Sequence, residues 1–245
     1  MSAVSDALSR NRILSALPSA ERKIIEQHIE VFQVHLGDVL DHPGEIVRYL
    51  YFPVDAAISM MDVKDSSHTL DVALIGAEGC SGASVAQASD ASPCLNIVEI
   101  GGWTVRIHAP SLAESLPKLP FLSAVLSRYN LLLMRHTVIS VGCSQFHSPE
   151  QRIARWLLAH KHRTGLTVFP FTSDFLAAQV GIDKHQVRSI LDEMQKRGLL
   201  TKSHQSVAIN HEALVHQSCA CLQLTQEATD GYLETLTRLS RAYLH

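Results

Sequence analysis

Apolar residues along this chain change their spacing, and each change marks an element. Over residues 5 to 28 they recur at helical intervals, with Pro18 and Ser19 opening a second helix over Glu21 to His28. From Ile29 to about His108 the chain turns to short runs rich in Val, Ile, Tyr and Phe. Turn signals break these runs at Gly37-Asp38, Pro43-Gly44-Glu45, Asp55, Asp65-Ser66-Ser67, Gly76, Gly79, Gly82 and Gly101-Gly102. Strands at that spacing predict a compact antiparallel barrel or roll. Helical spacing returns after Pro110 and strengthens after Pro120. Leu122, Leu126, Tyr129, Leu133, His136, Ser140 and Cys143 alternate by four and three, the a/d seam through which two copies of a helix pair. The expected dimer interface is therefore Leu122, Leu126, Tyr129, Leu133, His136 and Ser140. A second line, Val125, Leu132 and Ile139, is available to pack against the chain's own roll.

Ser148, followed by Pro149 and Glu150, ends that helix and caps a new one over Gln151 to Arg163. Two short helices meeting at a tight turn follow, between Ser173 and Ile190. Leu176 and Ala177 lie on the first, Gly181 at the turn, and Ile182, Val187 and Ile190 face inward. A small Ala permits close crossing, and Gly takes the left-handed conformation the turn requires. Asp183 is the expected N-cap of the second helix, which presents Lys184, His185, Arg188 and Ser189 outward. This is a helix-turn-helix, and such a helix can read a major groove. Leu199 to Lys202 and Ser206 to Ile209 predict two strands of a wing joined at Ser203 to Gln205. The last thirty or so residues read as an amphipathic helical tail, with Leu222, Tyr232, Leu236 and Leu239 apolar and Gly231 interrupting.

Composition adds little until it is divided along the chain. At 245 residues, 46% hydrophobic and 18% charged, the sequence is that of a folded protein with room for two domains. Its net charge of -3 splits into -6 over residues 1 to 150, +5 over 151 to 205 and -2 over 206 to 245. Positive charge thus gathers around the helix-turn-helix, where phosphates would be met. Five cysteines, an odd number, and the lack of a signal-peptide pattern predict a cytoplasmic protein. The longest apolar cluster, Leu131 to Met134, is flanked by Arg128 and Arg135 and is too short to span a bilayer.

A roll, a long helix and a winged helix-turn-helix, in that order, resemble the CRP/FNR superfamily of bacterial transcription regulators, the cyclic AMP receptor protein among them. In the roll the resemblance rests on Gly37 with Leu40, Pro43-Gly44-Glu45, Tyr51-Phe52-Pro53 and Ser59. In the C-terminal half it rests on Glu150-Gln151-Arg152-Ile153-Ala154, Leu157 and the Leu176 to Ile190 pattern. It implies an α+β fold: an N-terminal antiparallel β-roll like a cyclic-nucleotide-binding domain, a long dimerisation helix and a C-terminal winged helix-turn-helix. The implied divisions are a sensor roll with N-terminal helices over 1–110, the dimerisation helix and hinge over 111–147, the DNA-binding domain over 148–212 and a helical tail over 213–245. The candidate DNA contacts are Ser173, Lys184, His185, Gln186, Arg188, Ser189, Lys202 and His204. They depart from the family's commoner Arg-Glu-x-x-x-Arg arrangement, since Lys184 lacks a guanidinium fork and His185 cannot accept from cytosine as Glu would. The implied partners are a second copy of the chain, a palindromic DNA operator and RNA polymerase.

The effector is not legible. The loop that holds cyclic nucleotides in relatives corresponds to Ile75 through Ser84, so Gly76, Glu78, Gly79, Ser81 and Gly82 are the candidates. Ser92-Pro93-Cys94 stands where the phosphate-binding Arg stretch would fall, and no Arg occurs between Arg48 and Arg106. A buried phosphate needs a charge-assisted partner, so cyclic AMP bound in the usual manner is not expected, nor is any other cofactor. No cysteine precedes Cys80, which argues against the iron–sulfur cluster of oxygen-sensing relatives. His211, His216, Cys219 and Cys221 form a local cluster, but its spacing matches no zinc motif, so no metal is expected. No nucleophile elbow, metalloprotease motif or dinucleotide fingerprint is present, and an enzyme is not expected. The competing reading is an interaction scaffold, or a redox or metal sensor, carrying a vestigial winged helix.

Overall fold

The computed structural model describes residues 3–65, 68–87, 91–170, 172–203 and 206–243. Three short helices come first: α1 (Ala3–Arg10), α2 (Arg12–Ser15) and α3 (Ser19–Ile25). Asn11 splits the expected lead helix. Its side-chain oxygen accepts from the N–H groups of Ile13 and Leu14, capping α2, while its amide donates to the carbonyls of Pro53 and Gly79 at 3.0 and 2.9 Å. A fully buried Asn is tolerated because both ends of its amide are satisfied.

Strands β1 (Ile29–Val34), β2 (Val39–Asp41), β3 (Tyr49–Pro53), β4 (Ala57–Asp65), β5 (His68–Ile75), β6 (Leu95–Ile100) and β7 (Gly102–His108) occupy the predicted roll. They form two sheets, one ordered β1-β7-β3 and the other β2-β6-β4-β5. Antiparallel register in the first aligns Val31 with Val105, Phe52 with Val105 and Leu50 with Ile107. Leu50, Phe52, Ile58, Ile75, Val98, Val105 and Ile107 are buried, and β3 is buried at consecutive positions from Leu50 to Pro53, so it is covered on both faces rather than on one.

The helix α4 (Ala109–Ser115) leads into α5 (Pro120–Phe146). Pro120 suits the first turn, and the free N–H groups behind it find the carboxylate of Glu21, which accepts from Phe121 at 2.8 Å and Leu122 at 2.9 Å. A buried anion at a helix N-terminus is held by those donors and by the helix dipole.

In the C-terminal half α6 (Pro149–Thr164) begins at a capping box: Ser148 Oγ accepts from Gln151 N–H, and Gln151 accepts from Ser148 N–H. It ends at Gly165, in the left-handed region. There follow β8 (Val168–Pro170), α7 (Ser173–Val180), α8 (Lys184–Lys196), β9 (Leu200–Lys202) and β10 (Ser206–Ile209). The wing is a three-stranded sheet, β8-β10-β9, one strand more than the sequence predicts. Last come α9 (His211–Val215) and α10 (Cys221–Tyr243). Gly231 does not interrupt the tail as expected; it is exposed within a continuous α10, where the lost side chain costs only helix propensity.

The chain divides into two compact units. One holds residues 1–60, 74–135 and 227–245, the other 61–73 and 136–226.

Candidate nucleic-acid interface

Three caps set the geometry of the helix-turn-helix. Thr172 Oγ1 accepts from Phe175 N–H and starts α7, Gly181 at φ +64° ends it, and Asp183 starts α8 by accepting from His185 at 2.7 Å and Gln186 at 3.4 Å. Those N–H donors, the His185 one foremost, hold the Asp183 carboxyl below its ordinary value. Gly181 is required twice, by its dihedral and by the carbonyl of Thr69, which would stand 3.0 Å from an added Cβ. Arg152 donates to the carbonyl of Val180, and Thr69 Oγ1 donates to that of Ala178 at 2.8 Å, so the end of α7 is pinned from two sides.

The inward line of α8 is Val187, Leu191 and Met194, at i, i+4 and i+7. Val187 is buried as expected, whereas Ile190 is only half-buried, because Leu191 takes the inward place a full turn after Val187. Outward, Lys184, His185, Gln186, Arg188 and Ser189 are all exposed. Lys184 lies 3.5 Å from Asp174, an exposed pair that a phosphate could displace at little cost. Ser173, half-buried, is the first residue of α7. Lys202 ends β9 beside the turn into β10, with its ammonium on Asp192 and its N–H on the Gln195 side chain, both on α8. His204 lies outside the described residues.

The seam expected to form a dimer faces the chain's own interior. Leu122, Leu126, Tyr129, Leu133, His136 and Ser140 are each 8% exposed or less, and Ser140 Oγ donates to the Asp71 carbonyl at 2.6 Å. The exposed line of α5 is instead Leu131 (60%), Met134 (60%), Val138 (67%) and Val141 (46%), also spaced three and four. α5 is apolar on more than one face, and heptad spacing alone cannot say which face a fold buries. On the second line Val125 and Leu132 are buried, and Ile139 is half-buried against Cys143, Cys219 and Cys221 rather than against the roll.

The candidate effector loop is packed rather than open. Gly76 N–H donates to Glu78 Oε1, Gly79 N–H to the Gly76 carbonyl and Ser81 N–H to the Tyr51 carbonyl, which commits three amides an anion could have used. Gly79 is in contact with Tyr129: a Cβ there would fall 2.0 Å from the phenol. Tyr129 in turn meets Tyr232 of α10 at 5.5 Å between ring centroids. Burial, with Cys80 and Glu78 nearby, pushes the Tyr232 hydroxyl far up. Gly82 takes φ +72° beside Val47 and Leu50. The tail therefore contributes an aromatic ring to the loop's surroundings, a long-range contact that spacing does not reveal.

Of the local cluster at the end of the winged segment, His211 and His216 are exposed. Cys219 and Cys221 gather instead with Cys143 and His147, which the sequence reading did not associate with them. Cys143 and Cys219 share a hydrogen bond that holds the Cys219 thiol down to about 5 and drives that of Cys143 up.

Residues 151–216 match the family described as the Crp-like helix-turn-helix domain. No curated protein matches the chain significantly. Among solved structures the chain is similar to FixK2 from Bradyrhizobium japonicum, at 14% identity and TM-score 0.65 over 78% of this chain and 98% of that one. It is similar also to a transcriptional regulator of the CRP/FNR family from Eubacterium rectale, at 17% identity and TM-score 0.64, covering 84% and 96%. A third is the c-di-GMP-responsive global regulator CLP of Xanthomonas campestris, at 17% identity and TM-score 0.59, covering 76% and 96%. Among the described residues no helix is long and apolar enough to cross a membrane.

Proposed function

From the premise that residues 151–216 are a Crp-like helix-turn-helix domain in a chain with the fold of the CRP/FNR regulators, we propose that this protein is a sequence-specific, homodimeric DNA-binding transcription regulator. The observation that carries the reading is the outward face of α8. Lys184, His185, Gln186, Arg188 and Ser189 stand free of the core on a helix whose N-terminus is capped and whose surroundings are the most cationic of the chain. Such a helix enters a major groove with its first turns at the base edges. Arg188 has no ion pair or side-chain hydrogen bond among the described residues, so its guanidinium is available to a guanine or a phosphate. His185 stands where many relatives place the accepting Glu and Lys184 where they place a forked Arg donor, so an operator different from that of the cyclic AMP receptor protein is expected.

Pairing along Leu131, Met134, Val138 and Val141 supplies the twofold symmetry. It would set two α8 helices one turn of DNA apart, about 34 Å, on a palindromic operator, where RNA polymerase is the machinery acted upon. Tyr129 against Gly79, and the lack of an arginine between Arg48 and Arg106, favour a signal other than cyclic AMP held by its phosphate.

The test is selection of genomic fragments by the purified full-length protein, followed by affinity measurement with Arg188→Ala. A palindromic consensus is expected, with the variant weakened by about 1 to 3 kcal/mol on the selected site. No enrichment, or parental affinity in the variant, would defeat the reading.

A further inference from the structure

We propose that Cys143, His147, Cys219 and Cys221 form a tetrahedral site for one zinc ion, fastening the end of α5 to the start of α10. Three thiols and an imidazole offer four ligand atoms that all lie within 4.8 Å of one another, and the three cysteines are buried. Cys3His is a ligand set of closed structural zinc sites. Two of the separations match those of ligands around one ion. With Zn–S of about 2.3 Å and Zn–N of about 2.0 to 2.1 Å, tetrahedral angles place two sulfurs about 3.8 Å apart and a sulfur and a nitrogen about 3.6 Å apart. Here Cys143 Sγ lies 3.5 Å from Cys219 Sγ, and Cys221 Sγ lies 3.6 Å from His147 Nδ1. An iron–sulfur cubane, with a shell of sulfide between metal and protein, would spread its ligands farther. A Cys143–Cys219 disulfide would leave Cys221 and His147 converging on nothing, and all five cysteines are free thiols.

Local structure explains how residues so distant in sequence converge. Cys143 and His147 are one helical turn apart, and His147 N–H donates to the Cys143 carbonyl at 3.1 Å, so both side chains leave the same face at the end of α5. Cys219 and Cys221 would point apart on one helix. Cys219, however, precedes α10 and Cys221 opens it, with a turn closed by Leu222 N–H on the Cys219 carbonyl at 3.1 Å. The outer shell suits a metal thiolate. Ile139 supplies an apolar wall. Zinc with three thiolates and a neutral imidazole carries one negative charge. The Arg155 guanidinium, near enough to bear on all three thiols, offsets it, and its Nε is buried without a protein acceptor.

The two ligand pairs flank residues 148–218, so the ion closes the ends of the whole winged-helix segment. Long closed loops give a clip its greatest effect on the unfolded chain.

Metal content of the full-length protein, purified under reducing conditions, tests the site. One zinc per chain is expected. After chelation, cobalt should restore the absorption of a tetrahedral thiolate complex. Cys219→Ser should abolish stoichiometric retention, and His147→Ala should weaken zinc at least tenfold in competition with a chromophoric chelator. Cys94→Ser, outside the group, should behave as the parent. Because the buried Cys219→Ser could fail to fold, the half-buried His147 variant and the cobalt spectrum of the parent decide independently. Substoichiometric uptake by reduced parent protein, equal affinity across the variants, a cobalt spectrum lacking thiolate charge transfer, or an iron–sulfur chromophore after anaerobic purification would each overturn the proposal.

Discussion

Gly79 shows how much a single residue can decide. Nothing in the run from Ile75 to Ser84 distinguishes a ligand loop from a tight turn, and the difference comes from Tyr129, fifty positions away, whose ring stands where a side chain at 79 would go. Gly79→Ala should therefore destabilise the protein by about 2 to 3 kcal/mol in denaturant unfolding, the cost of forcing bulk into a filled core. Tyr129→Leu in the same chain should recover part of that loss; no recovery would remove the ring as the cause. Asp183 makes a second residue-scale statement, in pH. Its folded pKa lies below the ordinary value of 3.8, so its contribution to α8 is fully present above that value and is lost as pH falls through the lower folded one. The thermal midpoint of the winged segment should fall over that acidic interval in the parent. Asp183→Asn, which keeps a capping side chain but not the charge, should flatten the dependence.

At the scale of elements, capping signals were legible because they act between neighbours in sequence. Ser148, Gly181 and Asp183 each do what their type and spacing imply, and with them the helix-turn-helix and two wing strands fall where expected. The seam of α5 was not legible. Two apolar lines share the heptad rhythm, and only the tertiary fold decides that Leu126 and Tyr129 turn inward while Met134 and Val138 stay out. The two lines make opposite predictions. Met134→Glu with Val138→Glu should give a monomer in light scattering, with unfolding of the monomer near parental. Leu126→Glu should instead unfold the chain, since a carboxylate on that face has no partner to offset its burial. β8 is not visible in the sequence because a three-residue strand that ends in Pro170 carries too little alternation to register. The Cys143 and Cys219 meeting is not visible in the sequence because metal-ligand spacing is a rule about local sequence, and these two residues are 76 positions apart.

For the whole molecule, the net charge of -3 conceals the cationic stretch over residues 151–205, so sequence arithmetic had to be local before it said anything about nucleic acid. Binding should lose affinity steeply with added salt, linearly on logarithmic axes, and Lys184→Ala should lower the slope by about one if that ammonium meets a phosphate. An unchanged slope would place Lys184 away from the backbone. The division into two compact units has a further consequence for anyone who would take the protein apart. The chain passes from one unit to the other at 60/61, 73/74, 135/136 and 226/227, and those points fall inside β4, β5, α5 and α10. A protease searching for a loose tether has to unravel hydrogen-bonded strand or helix at every crossing, so brief digestion should leave the polypeptide whole instead of releasing a separate reader of DNA.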